Sequence, residues 1–430
     1  MKTAIYFIAL KLYYAGIVLV SPWNEKARLW LRGRRGTFTR LRTSINRNPG
    51  QELVWMHCAS LGEFEQGRPL LEAVRDRYPQ AKILLTFFSS SGYEIRKNYD
   101  KADLVFYLPL DTPLNARRFL SIVQPALVLW IKYEYWYFYF REIQKAGIPF
   151  LLISAIFRKE QLFFHWHGSL HRDMLRCFTH LFVQTPESAR LLGSIGISGH
   201  TSVTGDTRFD RVIEIAGQFE PISWIEDFCA GHLVIVAGST WDEDEEELDH
   251  FANTHPELRF IVAPHEIHAA HLKDIFKLFK HAVLYSEYRQ IKEAGEGLPE
   301  RFAQANVLVI DNIGMLARLY RYATITYVGG GFGESGVHNI LEAAVYGKPV
   351  VFGPVYDKYA EAEELLESGG AFSIRNAIEL EKILNRLLHN YHEYRQVCEA
   401  SQRYVYAKSG AKQKIMDYIS ANKLLGKQAG

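Results

Sequence analysis

The chain has 430 residues, of which 48% are hydrophobic and 23% are charged, a composition typical of globular proteins. This length is too great for one compact core and predicts two domains of ordinary size. The formal net charge is only +2, which argues against a nucleic-acid-binding protein, so we expect no nucleic acid partner. The four cysteines lie far apart and form no CxxC pair, which favours reduced thiols in a cytosolic protein.

The chain begins with an apolar segment in which Lys11 is the only charge between Thr3 and Val20. At about 18 residues, this segment is near the lower limit for crossing a bilayer. The alternatives are a buried first helix and a signal peptide, although no convincing small-residue cleavage site follows. We therefore predict an N-terminal membrane anchor over residues 1–21.

A basic stretch follows the apolar segment, with Glu25 as its only acidic residue. Its basic residues are Lys26, Arg28, Arg32, Arg34, Arg35, Arg40, Arg42 and Arg47. Such a stretch is attracted to anionic lipid, and basic flanks stay on the cytoplasmic side of a membrane. The pattern predicts that an anionic membrane surface is a partner, and a solvated basic face is the alternative. Whether the anchor spans the bilayer or lies in one leaflet stays open.

From Glu52 onward, short apolar runs alternate with amphipathic stretches, which is the pattern of parallel α/β structure. Six strand candidates lie in the first half and begin at Leu53, Lys82, Leu104, Ala126, Pro149 and His180. Five lie in the second half and begin at Leu233, Arg259, Asn306, Thr324 and Pro349. Because the pattern breaks near residues 211–231, we predict doubly wound α/β domains over 22–215 and 216–390, facing a cleft. Helices over 391–430 are expected to pack back across the boundary.

The first candidate site joins a predicted strand to a predicted helix, between His57 and Gly67. Glu63 is expected in the loop or in the first helical turn, beside Gly62, which would let a ligand approach the backbone closely. A carboxylate in this position is a candidate general base. Glu65 is its rival, and a glutamate that only interacts with the helix dipole is the alternative.

The second candidate site is the glycine-rich segment Gly329–Gly336, which includes Gly331 and lies between a predicted strand and a predicted helix. Free backbone N–H groups in such a segment can bind phosphate. The GxGxxG spacing also matches a dinucleotide fingerprint, but the next strand lacks the acidic residue that would hold an adenosine ribose. This argues against an NAD-dependent enzyme. Asn339 and Glu342 could hold two ribose hydroxyls from one helix face, and ordinary polar residues of a helical turn are the alternative.

Two further groups of residues, Pro264–His265 and Asp311–Met315, lie at predicted strand ends, where α/β domains bind ligands. The three histidines between His265 and His271 suggest a metal site, but their order is not HExxH, and this spacing more often gives a solvated helix face. Residues 242–244 resemble a charged helix start rather than a metal-binding DxD pair. We therefore expect no metal ion.

Together these segments resemble the Kdo transferases of lipopolysaccharide assembly, a family of GT-B glycosyltransferases that transfer 3-deoxy-D-manno-octulosonic acid (Kdo). The resemblance covers almost the whole chain. It is most specific at Ser60–Glu63, at Val203–Gly205 with Arg208–Asp210, and at His338–Ala344, which occur in the order and spacing of the family. It implies a GT-B fold of two Rossmann-like domains, with the anchor on the cytoplasmic face of the cell inner membrane.

The resemblance also implies an inverting transfer of Kdo from CMP-Kdo to a lipid A precursor, lipid IVA, with release of CMP and with no metal or other cofactor. The N-terminal domain would bind the acceptor, and the C-terminal domain would bind CMP-Kdo. Glu63 matches the catalytic base of the family. The residues expected to contact the donor are Pro264, His265, Ile313, Gly314, Met315, Gly331, His338, Asn339, Ile340, Leu341 and Glu342.

Three positions depart from the family. It usually has arginine where His265 stands, and a glutamate and a lysine where Lys132 and Arg208 stand. Arg208 keeps the positive charge and could grip a carboxylate or a phosphate by two bonds, whereas Lys132 reverses the expected sign. Glu134 could take over the acidic role, since residues two apart share one face of a strand. We predict Glu63, Arg208 and Lys132 as catalytic residues.

Two alternative functions stay open at this stage. The first is a GT-B transferase that uses another acid sugar or another acceptor. The second is a membrane-bound protein that binds sugar nucleotides without catalysis. The number of Kdo units transferred and the acylation required of the acceptor do not follow from the sequence.

Overall fold

The structure is a computed structural model, and it describes residues 2–48, 50–132, 134–295 and 297–426. The chain divides into two units, of which the first comprises Met1–Arg211 with Ser409–Gly430 and the second comprises Val212–Lys408. Each unit contains one sheet of seven strands. The domain limits predicted from the sequence stay predictions.

The first unit is built on a parallel sheet. Its strands are β1 Leu53–Cys58, β2 Lys82–Phe87, β3 Leu104–Tyr107, β4 Leu127–Ile131, β5 Phe150–Ala155, β6 His180–Val183 and β7 Thr201–Val203. They lie in the order β3-β2-β1-β4-β5-β6-β7. This is the order of doubly wound nucleotide-binding sheets, and it reverses between β1 and β4. Ligands of such sheets bind at the carboxyl ends of the strands beside the reversal.

Helices lie along both faces of this sheet. They are α1 Lys2–Val20, α2 Glu25–Arg34, α3 Thr37–Ser44, α4 Leu61–Arg77, α5 Ser90–Arg96, α6 Pro113–Val123, α7 Tyr137–Lys145, α8 Ser169–Leu175, α9 Pro186–Ser194 and α10 Thr207–Gly217. Every residue of β1, β4 and β5 is buried. A strand that is covered on both faces needs apolar side chains on both, which is why these strands appear in the sequence as continuous apolar runs.

Helix α1 packs on the first unit along one face only. Leu10 is buried with Trp30 of α2, and Tyr6 and Ile17 pack beside them. The Tyr6 hydroxyl donates a hydrogen bond of 2.7 Å to the buried carboxylate of Asp111. Most of the remaining apolar surface of α1 is exposed. By length and composition, α1 is also long and apolar enough to cross a membrane.

The second unit contains a second parallel sheet. Its strands are β8 Val234–Thr240, β9 Arg259–Pro264, β10 Ala282–Leu284, β11 Val307–Val309, β12 Ile325–Val328, β13 Val350–Phe352 and β14 Ala371–Ser373. They lie in the order β10-β11-β9-β8-β12-β13-β14, which reverses between β8 and β12. The two doubly wound sheets predicted from the sequence are therefore confirmed.

The helices of the second unit are α11 to α20, and the last helix of the chain, α21, belongs to the first unit. They are α11 Ser223–Cys229, α12 Asp242–Thr254, α13 Ala269–Leu278, α14 Tyr285–Glu293, α15 Glu300–Ala303, α16 Leu316–Leu319, α17 Leu341–Ala344, α18 Ala360–Glu367, α19 Ala377–His389 and α20 Tyr391–Ala407. The last helix is α21 Ala411–Ala421. Its residues Ile415, Met416 and Ile419 are buried in the same core cluster as Leu70 and Val74 of α4.

The strands predicted from apolar runs are all present, and three strands were not predicted. These are β7, β10 and β14, each only three residues long. All three lie at an edge of their sheet. An edge strand pairs on one side only and needs few apolar residues, so a run of three residues does not stand out in the sequence.

Candidate functional site

Glu63 lies at the start of α4, directly after the carboxyl end of β1. Ser60 is the N-cap residue of α4, and its hydroxyl donates a hydrogen bond to the Glu63 carboxylate. The space beside Gly62, the residue before Glu63, is open, because a Cβ on the exposed Gly62 would meet only the Ser60 hydroxyl. The rival Glu65 is bonded to Arg96 at 2.8 Å. The half-buried carboxylate of Glu63 is therefore the one held beside open space in the first helical turn.

Lys132 follows β4, the other strand at the reversal of the first sheet. Its φ is 54°, a left-handed value that is uncommon for a residue with a side chain. Its backbone N–H donates to the Ile153 carbonyl of β5 at 3.1 Å. The sheet thus holds Lys132 in an unfavourable conformation at the carboxyl ends of the strands, as residues at functional sites often are.

Glu134, suggested as an acidic substitute for the Lys132 position, has other partners. Its carboxylate lies 3.1 Å from Nε2 of the buried His57 and accepts a 3.0 Å hydrogen bond from the indole of Trp136. His57 is bonded on its other side to Thr86 at 2.8 Å. These contacts hold the Glu134 carboxylate beside His57 of β1.

The carboxylate that lies with the predicted cations is Asp206. Arg208 Nε and Nη2 each lie 2.9 Å from Oδ2 of Asp206, and the Arg208 backbone N–H donates to Oδ1 at 2.9 Å. Burial alone would raise the pKa of Asp206, but the charges of Arg208 and Lys132 hold that pKa below its usual range. The buried Asp206 carboxylate is therefore bonded to Arg208 and also feels the charge of Lys132. The available signal in the sequence was an acidic residue directly after Gly205, two positions before Arg208.

The predicted donor residues of the second unit lie at the carboxyl ends of its strands. Pro264 ends β9 and is buried, and the exposed His265 follows it. The segment Ile313–Met315 follows the neighbouring strand β11, with Ile313 89% exposed and Met315 buried. Gly331 follows β12, which pairs with β8 beside β9. Four adjacent strands thus bring these separate segments to one edge of the sheet.

Three aromatic rings stack at this edge. The His265 ring stacks on the rings of both Trp241 and His338, with centroid distances of 4.7 Å and 4.5 Å. The Trp241 indole lies 3.0 Å from Nε2 of His338. An indole N–H only donates, so Nε2 of His338 accepts, and the proton of the neutral ring lies on Nδ1. Burial and the nearby His265 lower the pKa of His338 to about 4, so His338 is neutral at physiological pH. Trp241 was not identified from the sequence.

Three backbone N–H groups in the glycine-rich segment and directly after it already have partners. The N–H of Gly330 donates to Asp244 at 2.8 Å, and that of His338 donates to the Gly329 carbonyl at 3.0 Å. The N–H of Val337 donates to the Val355 carbonyl at 2.9 Å. Of the predicted segment, the Gly330 N–H is therefore not free to bind a phosphate, and the phosphate site stays a prediction for the other groups.

The glycine-rich segment is instead packed against its surroundings. A Cβ at Gly331 would lie 2.6 Å from the backbone nitrogen of Gly353, so the two backbones touch. The fully buried Asp244 also accepts hydrogen bonds from the Trp241 backbone at 3.0 Å and from the Tyr327 hydroxyl at 2.7 Å. Asp244 was interpreted only as part of a charged helix start, and its buried role was not predicted.

The helix predicted after the glycines begins only at Leu341 and is four residues long. Asn339 precedes this helix, so Asn339 and Glu342 do not share a helix face as predicted. They are nevertheless joined, because the Asn339 amide donates to the Glu342 carboxylate at 2.9 Å. Ile340 and Leu341 are buried, so their side chains pack in the core. The exposed Asn339 and the half-buried Glu342 are the polar side chains that a ligand can reach.

His271 forms an ion-pair triad with Asp242 and Glu245, at 3.1 and 3.0 Å from its Nε2. Its Nδ1 lies 2.8 Å from the Glu266 carbonyl, so Nδ1 must donate, and a protonated ring satisfies both carboxylates. Burial opposes this charge, but Glu245 outweighs it and the pKa of His271 is raised. In the described ranges, the triad is the one group with metal-ligand spacing. The ion pairing accounts for its geometry.

Sequence comparisons relate both halves of the chain to transferases. Residues 31–211 match the family model for 3-deoxy-D-manno-octulosonic acid transferases. The transferase of that name from Aquifex aeolicus is 28% identical, over 78% of this chain and 86% of its own. The transferase of that name from Haemophilus influenzae is 24% identical, over 86% of this chain and 87% of its own.

Solved structures show the same fold at lower identity. The UDP-GlcNAc 2-epimerase from Neisseria meningitidis has a TM-score of 0.60 and 16% identity, over 86% of this chain and 100% of its own. A putative UDP-N-acetylglucosamine 2-epimerase from Listeria monocytogenes has a TM-score of 0.58 and 13% identity, over 88% and 98%. At such identities the likeness concerns the fold alone. It confirms the predicted GT-B class.

Proposed function

The chain belongs to the Kdo transferase family of GT-B glycosyltransferases, and on this premise we propose that it transfers Kdo from CMP-Kdo to lipid IVA, the lipid A precursor, in lipopolysaccharide synthesis. The observation that carries the proposal is the family match over residues 31–211, which includes Glu63, Lys132 and Arg208. The first unit would bind the acceptor, and the second unit would bind the donor.

Glu63 is the proposed general base. It takes the proton of an acceptor hydroxyl, and the oxygen attacks the anomeric carbon of Kdo while the bond from that carbon to the CMP phosphate oxygen breaks. Because attack and departure occur on opposite faces, the configuration inverts. The support is the position of Glu63 beside the reversal of a doubly wound sheet, oriented by Ser60 and next to open space.

The transfer needs positive charge, because Kdo carries a carboxylate and CMP leaves as a phosphate monoester. Lys132 and Arg208 are the proposed sources of that charge. We expect no metal ion to be required, since a nucleoside monophosphate carries less charge than the diphosphate leaving groups of many transferases. In the second unit, Asn339 and Glu342 are joined and accessible, which suits two adjacent ribose hydroxyls.

A direct assay tests this function. Purified full-length protein is given CMP-Kdo, generated in the assay, and a tetra-acylated lipid A precursor in the presence of EDTA, and the products are analysed by mass spectrometry. We expect a mass gain of one or more Kdo units, with strong inhibition by CMP and none by UDP. No gain from protein that binds CMP would refute the proposed acceptor, and inhibition by UDP alone would refute the proposed donor.

We also propose that α1 lies along a membrane surface rather than across the bilayer. One face of α1 is occupied by the first unit, whereas Ile5, Ile8, Leu12 and Leu19 on the remaining surface are 57–71% exposed. Six residues of the basic stretch, which follows α1 in the chain, are exposed: Lys26, Arg28, Arg32, Arg35, Arg40 and Arg42. An apolar face flanked by cations is typical of a helix that lies at the interface of an anionic leaflet.

One member of the basic stretch does not fit the predicted lipid contact. The Arg34 guanidinium lies 3.7 Å from the ring centroid of Trp30, and it donates to the carbonyls of Phe88 and Leu108 at 2.7 and 2.9 Å. Burial lowers the pKa of Arg34 to about 9. Arg34 therefore fixes α2 to the segments that follow β2 and β3, and the prediction that Arg34 faces lipid is wrong.

A double substitution tests the membrane surface. Ile8→Asp with Leu12→Asp should lower binding to anionic vesicles at least tenfold, since acidic groups are costly in an apolar interface, on the order of 1 kcal/mol or more each. Flotation with phosphatidylglycerol vesicles measures the binding. Leu114→Asp is the matched control, because Leu114 on α6 is similarly exposed at 73%. Undiminished flotation of the double variant would exclude this face of α1 as the membrane contact.

A further inference from the structure

Asp206 is a charged residue that the proposed chemistry does not use, although it lies among the residues that do. Its side chain is only 4% exposed. Its Oδ2 atom accepts from Arg208 and also from the Gln66 amide at 3.0 Å. A carboxylate with this many partners has one orientation, and that orientation sets where the Arg208 guanidinium lies.

Hydrogen bonds around Asp206 connect it to α4, the helix that carries Glu63. Gln66 is three residues after Glu63 on α4, and its backbone carbonyl accepts a hydrogen bond from the Thr207 hydroxyl. The Thr207 hydroxyl is in turn 3.1 Å from that of Ser154, at the end of β5. The start of α10 is thereby fixed to α4 and to the sheet.

Helix capping explains only half of these contacts. The Arg208 backbone N–H donates to Oδ1 of Asp206, as expected for a capping residue at the start of α10. The other oxygen, Oδ2, has no part in this cap and receives the side chains of Arg208 and Gln66. The two oxygens therefore have separable roles. A substitution of Asp206 that keeps the capping oxygen can still remove the hydrogen bonds to the Arg208 guanidinium.

We propose that Asp206 is a positioning residue, whose Oδ2 holds the Arg208 guanidinium ready for an acidic group of the substrate, a carboxylate or a phosphate. Its negative charge also offsets the repulsion between Arg208 and Lys132. A preorganised guanidinium meets the substrate without reorienting, which is how positioning groups contribute to rate. Only the identity of the acidic substrate depends on the proposed function.

Nuclear magnetic resonance tests whether Asp206 holds the Arg208 guanidinium, and it does not require enzymatic activity. In full-length protein labelled with ¹⁵N-arginine, the Arg208 Nε–H signal is assigned by its loss in Arg208→Lys, and its exchange with solvent is measured. Asp206→Asn keeps an oxygen for the cap but puts an N–H₂ group in place of Oδ2. We expect at least tenfold faster exchange in this variant. Asp206→Ser, which also keeps a capping oxygen, should behave likewise.

The matched control is Asp210→Asn on the same helix. Asp210 is also buried, but its carboxylate accepts from the backbone N–H groups of Gly410 and Lys412, at 2.7 and 3.0 Å. Exchange of the Arg208 signal should be unchanged in Asp210→Asn. Equally slow exchange in wild type and Asp206→Asn would overturn the proposal, whether or not the protein transfers Kdo.

Chemical rescue tests the contribution to catalysis. Added guanidinium should restore part of the transfer activity lost in Arg208→Ala, because Asp206 can bind the free cation. Rescue should disappear in Arg208→Ala/Asp206→Asn and persist in Arg208→Ala/Asp210→Asn. Equal rescue with and without Asp206, or no rescue of Arg208→Ala, would overturn the catalytic part of the proposal. An inactive wild type would instead refute the proposed function.

Discussion

Replacement of Glu63 by glutamine should abolish Kdo transfer and leave CMP binding intact. Glutamine has the shape of glutamate and can still accept the hydrogen bond from Ser60, so the start of α4 should keep its structure. It cannot take a proton from the acceptor hydroxyl, and positioned general bases contribute roughly 10²- to 10⁴-fold to rates. We therefore expect kcat to fall at least about a hundredfold. Mass spectrometry of the products and calorimetry with CMP measure the two effects.

Glu65→Gln is the matched control for this experiment. Glu65 lies two residues further along α4, and its carboxylate is bonded to Arg96. Its loss removes an ion pair that is partly exposed, and such pairs contribute little to stability, about 0–1 kcal/mol. Transfer by Glu65→Gln should stay close to that of the wild type. Full activity of Glu63→Gln would exclude Glu63 as the base.

Asp244→Ala should destabilise the second unit and abolish CMP binding. Asp244 is fully buried and accepts hydrogen bonds from the Trp241 and Gly330 backbones and from the Tyr327 hydroxyl. Alanine would leave three donors without an acceptor, and each buried unpaired group costs about 1–3 kcal/mol. The free energy of unfolding should therefore fall by at least about 3 kcal/mol. Urea denaturation followed by calorimetry with CMP would measure both effects.

Two further variants serve as controls for this prediction. Glu243→Ala removes the exposed neighbouring carboxylate and should change neither stability nor CMP binding. Asp244→Asn keeps one acceptor oxygen and should lie between the wild type and Asp244→Ala. If Asp244→Ala bound CMP with the affinity of the wild type, the glycine-rich segment would not depend on this carboxylate.

The parts of the site that the sequence predicted are those that depend on local pattern. A continuous apolar run followed by an amphipathic stretch located β1 and α4, and hence placed Glu63 at a strand end. The same pattern located Pro264 and His265 at the carboxyl end of β9. Parallel strands place their carboxyl ends at one edge of a sheet, so order along the chain was enough to predict which segments meet.

The incorrect predictions concern hydrogen-bond partners that are remote along the chain. The backbone N–H of Gly330 was expected to be free for a phosphate, but Asp244 accepts its hydrogen bond from 86 positions earlier. Arg34 was expected to face lipid, but it bonds to the Phe88 carbonyl, 54 positions later. Buried polar groups must be paired, and spacing along a chain does not show which remote group is the partner.

By itself the sequence determined the fold class and the position of Glu63 at the end of a strand, because periodicity and motif order are local properties. Only the tertiary structure decided which side chains support the candidate site. It paired Arg208 with Asp206, and it stacked His265 on the rings of Trp241 and His338. Segments as far apart as Trp241 and His338 meet only after the strands have been ordered into a sheet. Until then, no local pattern specifies the direction of their side chains or the partners of their hydrogen bonds.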